Sequence, residues 1–297
     1  MSKSTVVLGI ICLCLAVATG FAVWWLLSAP DLASEPVVEG VFEIGLNNAK
    51  SNDDHLIDAD SALVWDSEAQ VIVFEENGFE RHSIASITKL MTAMVTLDYK
   101  ADWEKEVTIR PDEYTVGGRL VLHAGEFVTM EQLFHASLMG SANNATIAYV
   151  RALDIPEDEF ILSMNRKAIE LGLEQTEFVD VTGLSPRNVS TAYEVARLAE
   201  AAWRDYPIIA KITSQKEFTY LVGGSGREHT LRNTNKLISD EDMVLGGSKT
   251  GYLYEASYCL VVQGANKLAN RIVVVLGSPS ERGNLQDTKK LLEGIVP

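Results

Sequence analysis

The chain has 297 residues, of which 47% are hydrophobic and 22% charged, and its formal net charge is −16. This length is sufficient for a full hydrophobic core in one or two domains. The acidic balance disfavours nucleic acid as a partner, since phosphates are bound by lysine and arginine, and it indicates a well-solvated surface.

An apolar segment lies at the amino terminus. Residues 4–30 carry no charged side chain, and residues 6–27 are enough to cross the hydrocarbon core of a bilayer. Trp24 and Trp25 stand near the far end of this run, where aromatic side chains meet a membrane interface. The run predicts a transmembrane anchor. A cleaved signal peptide, with 16–18 as the cleavage site, is the alternative.

The charges that flank this segment predict its orientation. Lys3 precedes it, whereas Asp31 and Glu35 follow it. Because positive residues stay on the cytoplasmic side, the amino terminus is predicted in the cytoplasm. Everything after residue 30 is then predicted outside the cell membrane, in the periplasm or on the outer surface.

Beyond a polar linker at residues 31–60, strands are predicted at both ends of the chain and helices between them. The predicted strands are 62–65, 71–74, 218–222, 246–251, 256–263 and 271–276, with hairpin turns at 66–70 and 264–269. The predicted helices are 86–99 with Ser83 as its cap, 130–139, 142–153, 156–171, 192–203 and 286–292. This order favours an α/β fold of the α+β type, in which one antiparallel sheet built from both chain ends packs with helices and carries an inserted helical lobe.

The cysteines and histidines give no sign of a metal or a disulfide. Cys12 and Cys14 fall in the apolar segment, so Cys259 has no partner in the remainder of the chain. Cys259 lies in an apolar run and is predicted to be a small buried core residue. The histidines are scattered, and no Cys/His spacing fits zinc. No metal or organic cofactor is predicted.

Ser86 and Lys89 stand three positions apart where a helical pattern begins. Residues i and i+3 share one face of a helix, so the Lys89 amine is predicted beside the Ser86 hydroxyl. A serine hydroxyl is a weak nucleophile until a base activates it, and this spacing supplies the base locally. Alone the pattern is weak, because a chain of this length contains about one such pair by chance.

Two further motifs strengthen the pattern. Ser141-Ala142-Asn143 follows in the middle of the chain, and Lys249-Thr250-Gly251 lies near its end. The ordered set S-x-x-K, S-x-N and K-T-G is shared by penicillin-binding proteins and class A β-lactamases. Ser141 also fits a plain helix N-cap, and both roles stay open for it.

With these motifs the chain resembles the low-molecular-mass penicillin-binding proteins, the S11 D-alanyl-D-alanine carboxypeptidases. The similarity is carried by residues 83–94, 116–129, 141–145, 164–172, 182–184, 190–192, 247–252 and 273–277. It implies a β-lactamase/transpeptidase-like domain over residues 61–297, whose site lies between an antiparallel sheet and a helical region. It also implies that the substrate is the D-Ala-D-Ala end of a peptidoglycan stem peptide, and that β-lactams are covalent inhibitors.

The resemblance implies catalytic roles for three residues. Ser86 is the nucleophile that forms an acyl-enzyme, which water then hydrolyses. Lys89 is its base and has to be neutral at least transiently, against a free lysine pKa near 10.4; burial and the Lys249 cation are expected to lower it. Ser141 passes a proton between Lys89 and the leaving amine.

The resemblance also implies substrate-binding roles. Asn143 donates to the substrate carbonyl and accepts from Lys89. Lys249 and Thr250 bind the terminal carboxylate, and Gly251 lets the strand approach the substrate closely. The backbone N–H groups of Ser86 and Tyr252 form the oxyanion hole.

The chain departs from the family pattern at a few positions. Ile84 stands where proline is usual, Ala142 where glycine is common, and Asn144 where aspartate is usual; none of these removes a reactive group. The family also has a basic residue after the last strand, and Arg282 is the candidate, although surface charge is the favoured interpretation.

Three alternative functions remain open. A D,D-endopeptidase acting on peptidoglycan cross-links shares the same motifs. A β-lactamase needs a deacylating glutamate in Glu-x-x-Leu-Asn, and Glu159 with Asn165 has the wrong spacing. A non-catalytic, membrane-tethered peptidoglycan binder is disfavoured because the reactive side chains are all present.

Overall fold

The structure is a computed structural model and describes residues 57–265 and 270–294. The predicted anchor or signal at residues 1–30 and most of the predicted linker lie outside these residues, as does most of the 264–269 turn. Among the residues that are described, no helix is both long and apolar enough to span a bilayer.

The described residues form eleven strands, seven α-helices and three short 3₁₀ turns. The strands are β1 (Ser61–Asp66), β2 (Val71–Glu76), β3 (His82–Ser83), β4 (Glu106–Val107), β5 (Val128–Thr129), β6 (Val189–Ser190), β7 (Glu217–Leu221), β8 (Glu228–Arg232), β9 (Leu245–Leu253), β10 (Ser257–Gly264) and β11 (Arg271–Ser278). The helices are α1 (Lys89–Asp98), α2 (Met130–Leu138), α3 (Asn143–Ala152), α4 (Glu157–Glu170), α5 (Ala192–Asp205), α6 (Pro207–Thr213) and α7 (Glu281–Glu293). Short 3₁₀ turns occupy Ala85–Thr88, Pro111–Glu113 and Lys236–Ser239.

The main sheet has five antiparallel strands in the order β2-β1-β11-β10-β9, so strands from both chain ends meet in it as predicted. Side chains alternate between the two faces of each strand. On the central strand β11, Ile272, Val274 and Leu276 join the large core beneath the helices, whereas Val273 and Val275 join a smaller core that α7 covers. Both faces are therefore buried, and β9 is left as an edge strand.

Helix α1 runs through the middle of the large core. Its residues from Lys89 to Thr96 are all buried, which is why this short helix shows no polar face. Leu97, nearer the end of the helix, is only partly buried. A nearly all-round buried helix is typical of the centre of a domain.

Several predicted boundaries were wrong. The helix predicted at 86–99 begins at Lys89, after a 3₁₀ turn, and Ser83 does not cap it because it lies in β3. The closing helix begins at Glu281, where the Ser280 hydroxyl accepts from the backbone N–H of Gly283 at 3.0 Å. Helix α6 and strand β8 were not predicted, since neither has a strong periodic pattern of its own.

Candidate active site

Ser86 lies in the 3₁₀ turn that precedes α1, and two glycines let other backbones approach this turn. A Cβ at Gly183, whose φ is +83°, would collide with the carbonyl oxygen of Ala85. A Cβ at Gly251 would come within 2.9 Å of the carbonyl oxygen of Ile84. Gly251 therefore lets strand β9 lie close to the turn that carries Ser86, and its role in the approach of the substrate stays a prediction.

Lys89 follows this turn with its amine fully buried. Its Nζ lies 2.8 Å from Ser86 Oγ, 2.7 Å from Asn143 Oδ1 and 2.6 Å from the carbonyl oxygen of Thr182. Residues three apart nearly eclipse one another in a 3₁₀ turn, which places the two reactive atoms side by side. The predicted contact between Ser86 and Lys89 is therefore present, although the turn that makes it is tighter than the predicted α-helix.

Ser141 and Asn143 enter the site just before and at the start of α3. Ser141 has a φ of +52°, and its hydroxyl accepts from Lys249 Nζ at 2.9 Å. The alternative that Ser141 caps the helix is wrong, because Ala142 occupies the N-cap without a side-chain hydrogen bond. Asn143 Nδ2 donates to the carbonyl oxygen of Val116 at 2.8 Å, which turns Oδ1 toward Lys89.

Lys249 and Thr250 come from the edge strand β9. The Lys249 side chain is buried, and its Nζ donates to Ser141 Oγ and, at 3.0 Å, to the carbonyl oxygen of Thr250. The direct partner of Ser141 is thus Lys249 rather than the predicted Lys89. Tyr252 is 55% exposed and packs its ring 4.5 Å from that of Tyr258.

These groups open onto one cleft of about 450 Å³. Its lining includes Ser86, Val116, Gly117, Gly118, Ser141, Asn143, Gly183, Leu184, Thr234, Thr250, Gly251, Tyr252, Tyr254, Tyr258 and Glu281. The three distant motifs therefore converge, and the walls combine hydroxyl and amide groups with tyrosine rings. A cleft of this size accommodates a short peptide segment.

The two lysines have unusual proton affinities. Burial lowers the pKa of Lys89 well below the usual lysine value of 10.5, the Lys249 cation lowers it further, and the Asp180 carboxylate opposes the shift. Burial lowers the pKa of Lys249 to about 7. The charged form is disfavoured in each case because a buried ammonium loses its hydration.

These shifts predict that the protein becomes more stable as pH rises. Between about pH 7 and pH 10 the unfolded chain binds protons on Lys249 that the folded chain does not, so the free energy of unfolding increases with pH. Each such lysine contributes a slope of at most about 1.4 kcal/mol per pH unit. Urea unfolding at several pH values in this range should show a smaller increase in the free energy of unfolding per pH unit for Lys249→Met than for the wild type. Equal slopes would contradict the shift.

Residues 182–184 were noted only as part of the family similarity, and no role was predicted for the loop that completes the Lys89 environment. The Asp180 carboxylate accepts from the backbone N–H groups of Thr182 at 2.6 Å, Gly183 at 2.7 Å and Ser185 at 2.7 Å. This folds the loop so that the Thr182 carbonyl faces Lys89. An aspartate followed by a Thr-Gly pair is a turn signal, but nothing in the sequence indicates that the turn faces Ser86.

The other singled-out positions lie as follows. Ile84 and Asn144 are fully buried, and Asn144 exchanges hydrogen bonds with the backbone N–H and carbonyl of Leu120 at 2.9 Å and 2.8 Å. Asn144 therefore holds the Leu120 backbone against the start of α3. Arg282 lines a separate surface groove with Lys289, in agreement with the surface-charge interpretation.

Cys259, Glu159 and Asn165 were also singled out in the sequence. Cys259 is buried as predicted, and burial raises the pKa of its thiol to about 12. Glu159 is exposed in the first turn of α4, while both ends of the Asn165 amide bond the backbone of Phe178. Within residues 57–265 and 270–294, no three acidic, histidine or cysteine side chains come together as a metal site.

Comparison with known proteins identifies relatives of most of the described region. A family model described as Peptidase S11, D-alanyl-D-alanine carboxypeptidase, matches residues 47–280. The carboxypeptidase DacF of Bacillus subtilis is 34% identical over 79% of this chain and 61% of its own length. A D-alanyl-D-alanine endopeptidase of Pseudomonas aeruginosa is 32% identical over 78% of this chain and 75% of its own length.

Solved structures agree with this match. The Streptomyces K15 DD-transpeptidase superimposes with a TM-score of 0.73 at 27% identity, over 82% of this chain and 98% of its own. Penicillin-binding protein D2 of Listeria monocytogenes, solved in a cefotaxime-bound form, has a TM-score of 0.71 at 26% identity, over 82% and 99% of the two chains.

The fold and the serine–lysine site define the class of serine peptidases with a β-lactamase/transpeptidase-like architecture. The chain belongs to the S11 family of D-alanyl-D-alanine carboxypeptidases. The predicted family and the antiparallel sheet with helices are confirmed. The chain spans about three fifths of the length of DacF.

Proposed function

We propose that this protein is a serine-type D-Ala-D-Ala carboxypeptidase that trims peptidoglycan stem peptides through an acyl-enzyme on Ser86. The observation that carries the proposal is the 2.8 Å contact between Ser86 Oγ and the buried amine of Lys89. The family to which the chain belongs supports the same activity.

The partners of Lys89 favour its action as a base. A neutral amine has two N–H groups and one lone pair. Asn143 Oδ1 and the Thr182 carbonyl can only accept, so they take the two N–H groups. The lone pair is then directed at the Ser86 hydroxyl, the one partner that can donate. Burial and the Lys249 cation lower the pKa of Lys89, which favours this neutral form.

Acylation then proceeds with a balanced proton path. Ser86 Oγ attacks the carbonyl carbon between the two D-alanines while its proton moves to Lys89 Nζ. The backbone N–H groups of Ser86 and Tyr252 receive the developing oxyanion. The C–N bond breaks, and the leaving amine takes a proton from the Ser141 hydroxyl, which Lys249 replenishes across their 2.9 Å contact.

Deacylation uses the same groups in reverse. After the amine leaves, Lys89 gives its extra proton to solvent and Lys249 takes one up, so both lysines return to their starting charge. Water then attacks the ester carbonyl while its proton moves to the neutral Lys89, which passes a proton to Ser86 Oγ as the ester bond breaks. During acylation, before the terminal D-alanine leaves, Lys249 and Thr250 hold its carboxylate through a cation and a hydroxyl. Gly251 keeps the strand close to the Ser86 turn, and one N–H of the Asn143 amide remains for the substrate carbonyl.

The same nucleophile is expected to react with β-lactams. A β-lactam presents a strained amide and a carboxylate to the groups that would hold the peptide. The cefotaxime-bound form of a structural relative supports this extension. No bound metal or organic cofactor enters the proposed path.

The experiment that tests the proposal measures D-alanine release from a pentapeptide that ends in D-Ala-D-Ala. The wild type should release D-alanine, and Ser86→Ala should not. Release of D-alanine by Ser86→Ala at the wild-type rate would contradict the assignment of Ser86 as the nucleophile. No release by the wild type, despite labelling by a fluorescent penicillin, would sink the carboxypeptidase activity.

A D,D-endopeptidase is the second candidate, since curated relatives carry that name. Purified cross-linked muropeptides and uncross-linked pentapeptides distinguish the two activities. The proposal expects faster cleavage of the pentapeptide. Fast, repeated hydrolysis of nitrocefin would instead favour a β-lactamase, which the exposed position of Glu159 disfavours.

We also infer that the domain acts outside the cytoplasmic membrane, held there by the apolar run at residues 6–27. The support is chemical, because the proposed substrate lies on that side. Protease added to intact spheroplasts should digest the domain, whereas protection until the membrane is lysed would contradict this location.

A further inference from the structure

Thr234 lies next to the K-T-G motif, and no motif in the sequence marks it. Its Oγ1 is 2.6 Å from Thr250 Oγ1, and both residues line the cleft. We propose that Thr234 is a positioning residue that sets the Thr250 hydroxyl as a donor toward the terminal carboxylate of the substrate. The proposal rests on the function proposed above.

The backbone of Thr234 is held from several sides. Its N–H donates to the carbonyl oxygen of Met139 at 3.0 Å, on the helical side of the cleft. The preceding Asn233 donates from Nδ2 to the carbonyl oxygens of Thr213 at 3.1 Å and Gln215 at 3.0 Å. Its Oδ1 accepts from the N–H of Asn235 at 2.9 Å. A hydroxyl on so constrained a segment has few alternative positions.

Strand β9 is hydrogen-bonded to the same backbone carbonyl, that of Thr213. Ser248 Oγ donates to the Thr213 carbonyl at 3.1 Å, the same oxygen that Asn233 uses. The segments that carry Thr234 and Thr250 are therefore fixed to one carbonyl at the end of α6. This common attachment fixes the positions of the Thr234 and Thr250 hydroxyls relative to each other.

The number of available protons gives this contact a direction. Each threonine hydroxyl has one hydrogen, and a carboxylate can only accept. If Thr250 donates to the carboxylate, the short contact can be satisfied only when Thr234 donates to Thr250. Hydrogen bonds in such a chain strengthen one another, so Thr234 makes the Thr250 hydroxyl a better donor.

Lys249 does not make this arrangement redundant. An ammonium has three N–H groups, and Lys249 already directs two of them at Ser141 Oγ and the Thr250 carbonyl. One N–H is left for a carboxylate with two oxygens. The hydroxyl pair supplies the second, directional donor, which a charge alone does not.

The test compares Thr234→Val, which keeps the shape and removes the hydroxyl, with Thr234→Ser, which keeps the hydroxyl. Two matched thioesters of an acylated D-alanine serve as probes. One has a thioglycolate leaving group, which carries a carboxylate, and the other has an ethanethiol leaving group, which does not. For Thr234→Val we expect kcat/KM to fall about fivefold for the thioglycolate ester, mainly through KM, with little change for the ethyl thioester. Thr234→Ser should keep the wild-type ratio.

The ratio of the two thioesters is measured on one preparation, so it does not depend on the fraction of protein that is folded. An equal loss on both esters, or no loss on either, would overturn the proposal. A double-mutant cycle with Thr250→Val gives a second reading, because Thr234→Val should have no further effect once the Thr250 hydroxyl is gone. Full additivity would also overturn it. If the wild type releases no D-alanine from a pentapeptide, the proposed function fails instead.

Discussion

Replacing Lys89 by methionine is expected to lower the rate of acylation by penicillin and the release of D-alanine by about a thousandfold. Methionine keeps most of the buried volume but has no lone pair to take the Ser86 proton. The side-chain group that the structure places within hydrogen-bonding distance of Ser86 Oγ is the Lys89 amine. Stopped-flow or gel measurement of penicillin labelling against time gives the rate directly.

The matched control is Lys216→Met, which removes an exposed lysine outside the cleft lining. It should label at the wild-type rate. Loss of labelling in Lys89→Met but not in this control assigns the effect to the buried amine. If folded Lys89→Met were labelled by penicillin at the wild-type rate, another group would have to activate Ser86. That result would contradict the proposed proton path.

Replacing Gly183 by alanine is expected to abolish labelling and to lower the free energy of unfolding by about 3 to 5 kcal/mol. Two costs combine at this position. The backbone has a φ of +83°, which a side chain disfavours, and the added Cβ would collide with the Ala85 carbonyl. Relief of the collision has to move either the Ser86 turn or the loop that presents the Thr182 carbonyl to Lys89.

Gly172 offers a matched control because its φ is +71° and a Cβ there would meet nothing within 4 Å. Gly172→Ala should cost only about 1 kcal/mol and leave labelling unchanged. Urea unfolding gives both stabilities, and labelling at low temperature separates unfolding from damage to the site. Equal effects of the two substitutions would show that backbone conformation alone matters at Gly183.

The sequence predicted the parts of the site that lie in short, local patterns. Ser86 and Lys89 are neighbours in one turn, so their contact follows from spacing alone. Ser141, Asn143 and Lys249 were recognised as motifs. Their meeting depends on a 108-residue separation between Ser141 and Lys249 that only the sheet and the helical lobe together close.

The rest of the site is made of contacts that no local pattern encodes. The Thr182 carbonyl reaches Lys89 through a loop folded on Asp180, and a backbone oxygen leaves no residue type to recognise. Thr234 is an ordinary threonine whose importance arises from one contact with Thr250. The fold shows the same limit, because edge strands and short helices such as α6 are stabilised by their neighbours rather than by their own propensity.

The two buried lysines connect the site to the stability of the whole domain. A cation at Lys249 is costly in the free protein, as its pKa of about 7 indicates, and a bound carboxylate would favour that cation again. The same substrate charge would reinforce the neutral form of Lys89 by keeping Lys249 protonated. We therefore expect substrate recognition and base activation to be coupled through electrostatics.

We propose that one activated hydroxyl, that of Ser86, forms the covalent intermediate. Mass spectrometry of the protein after brief exposure to benzylpenicillin, followed by peptide mapping, tests it most directly. We expect one adduct, located on Ser86, which is absent from Ser86→Ala and strongly reduced in Lys89→Met. An adduct on any other residue would contradict this assignment. Release of D-alanine by Ser86→Ala at the wild-type rate would contradict it as well.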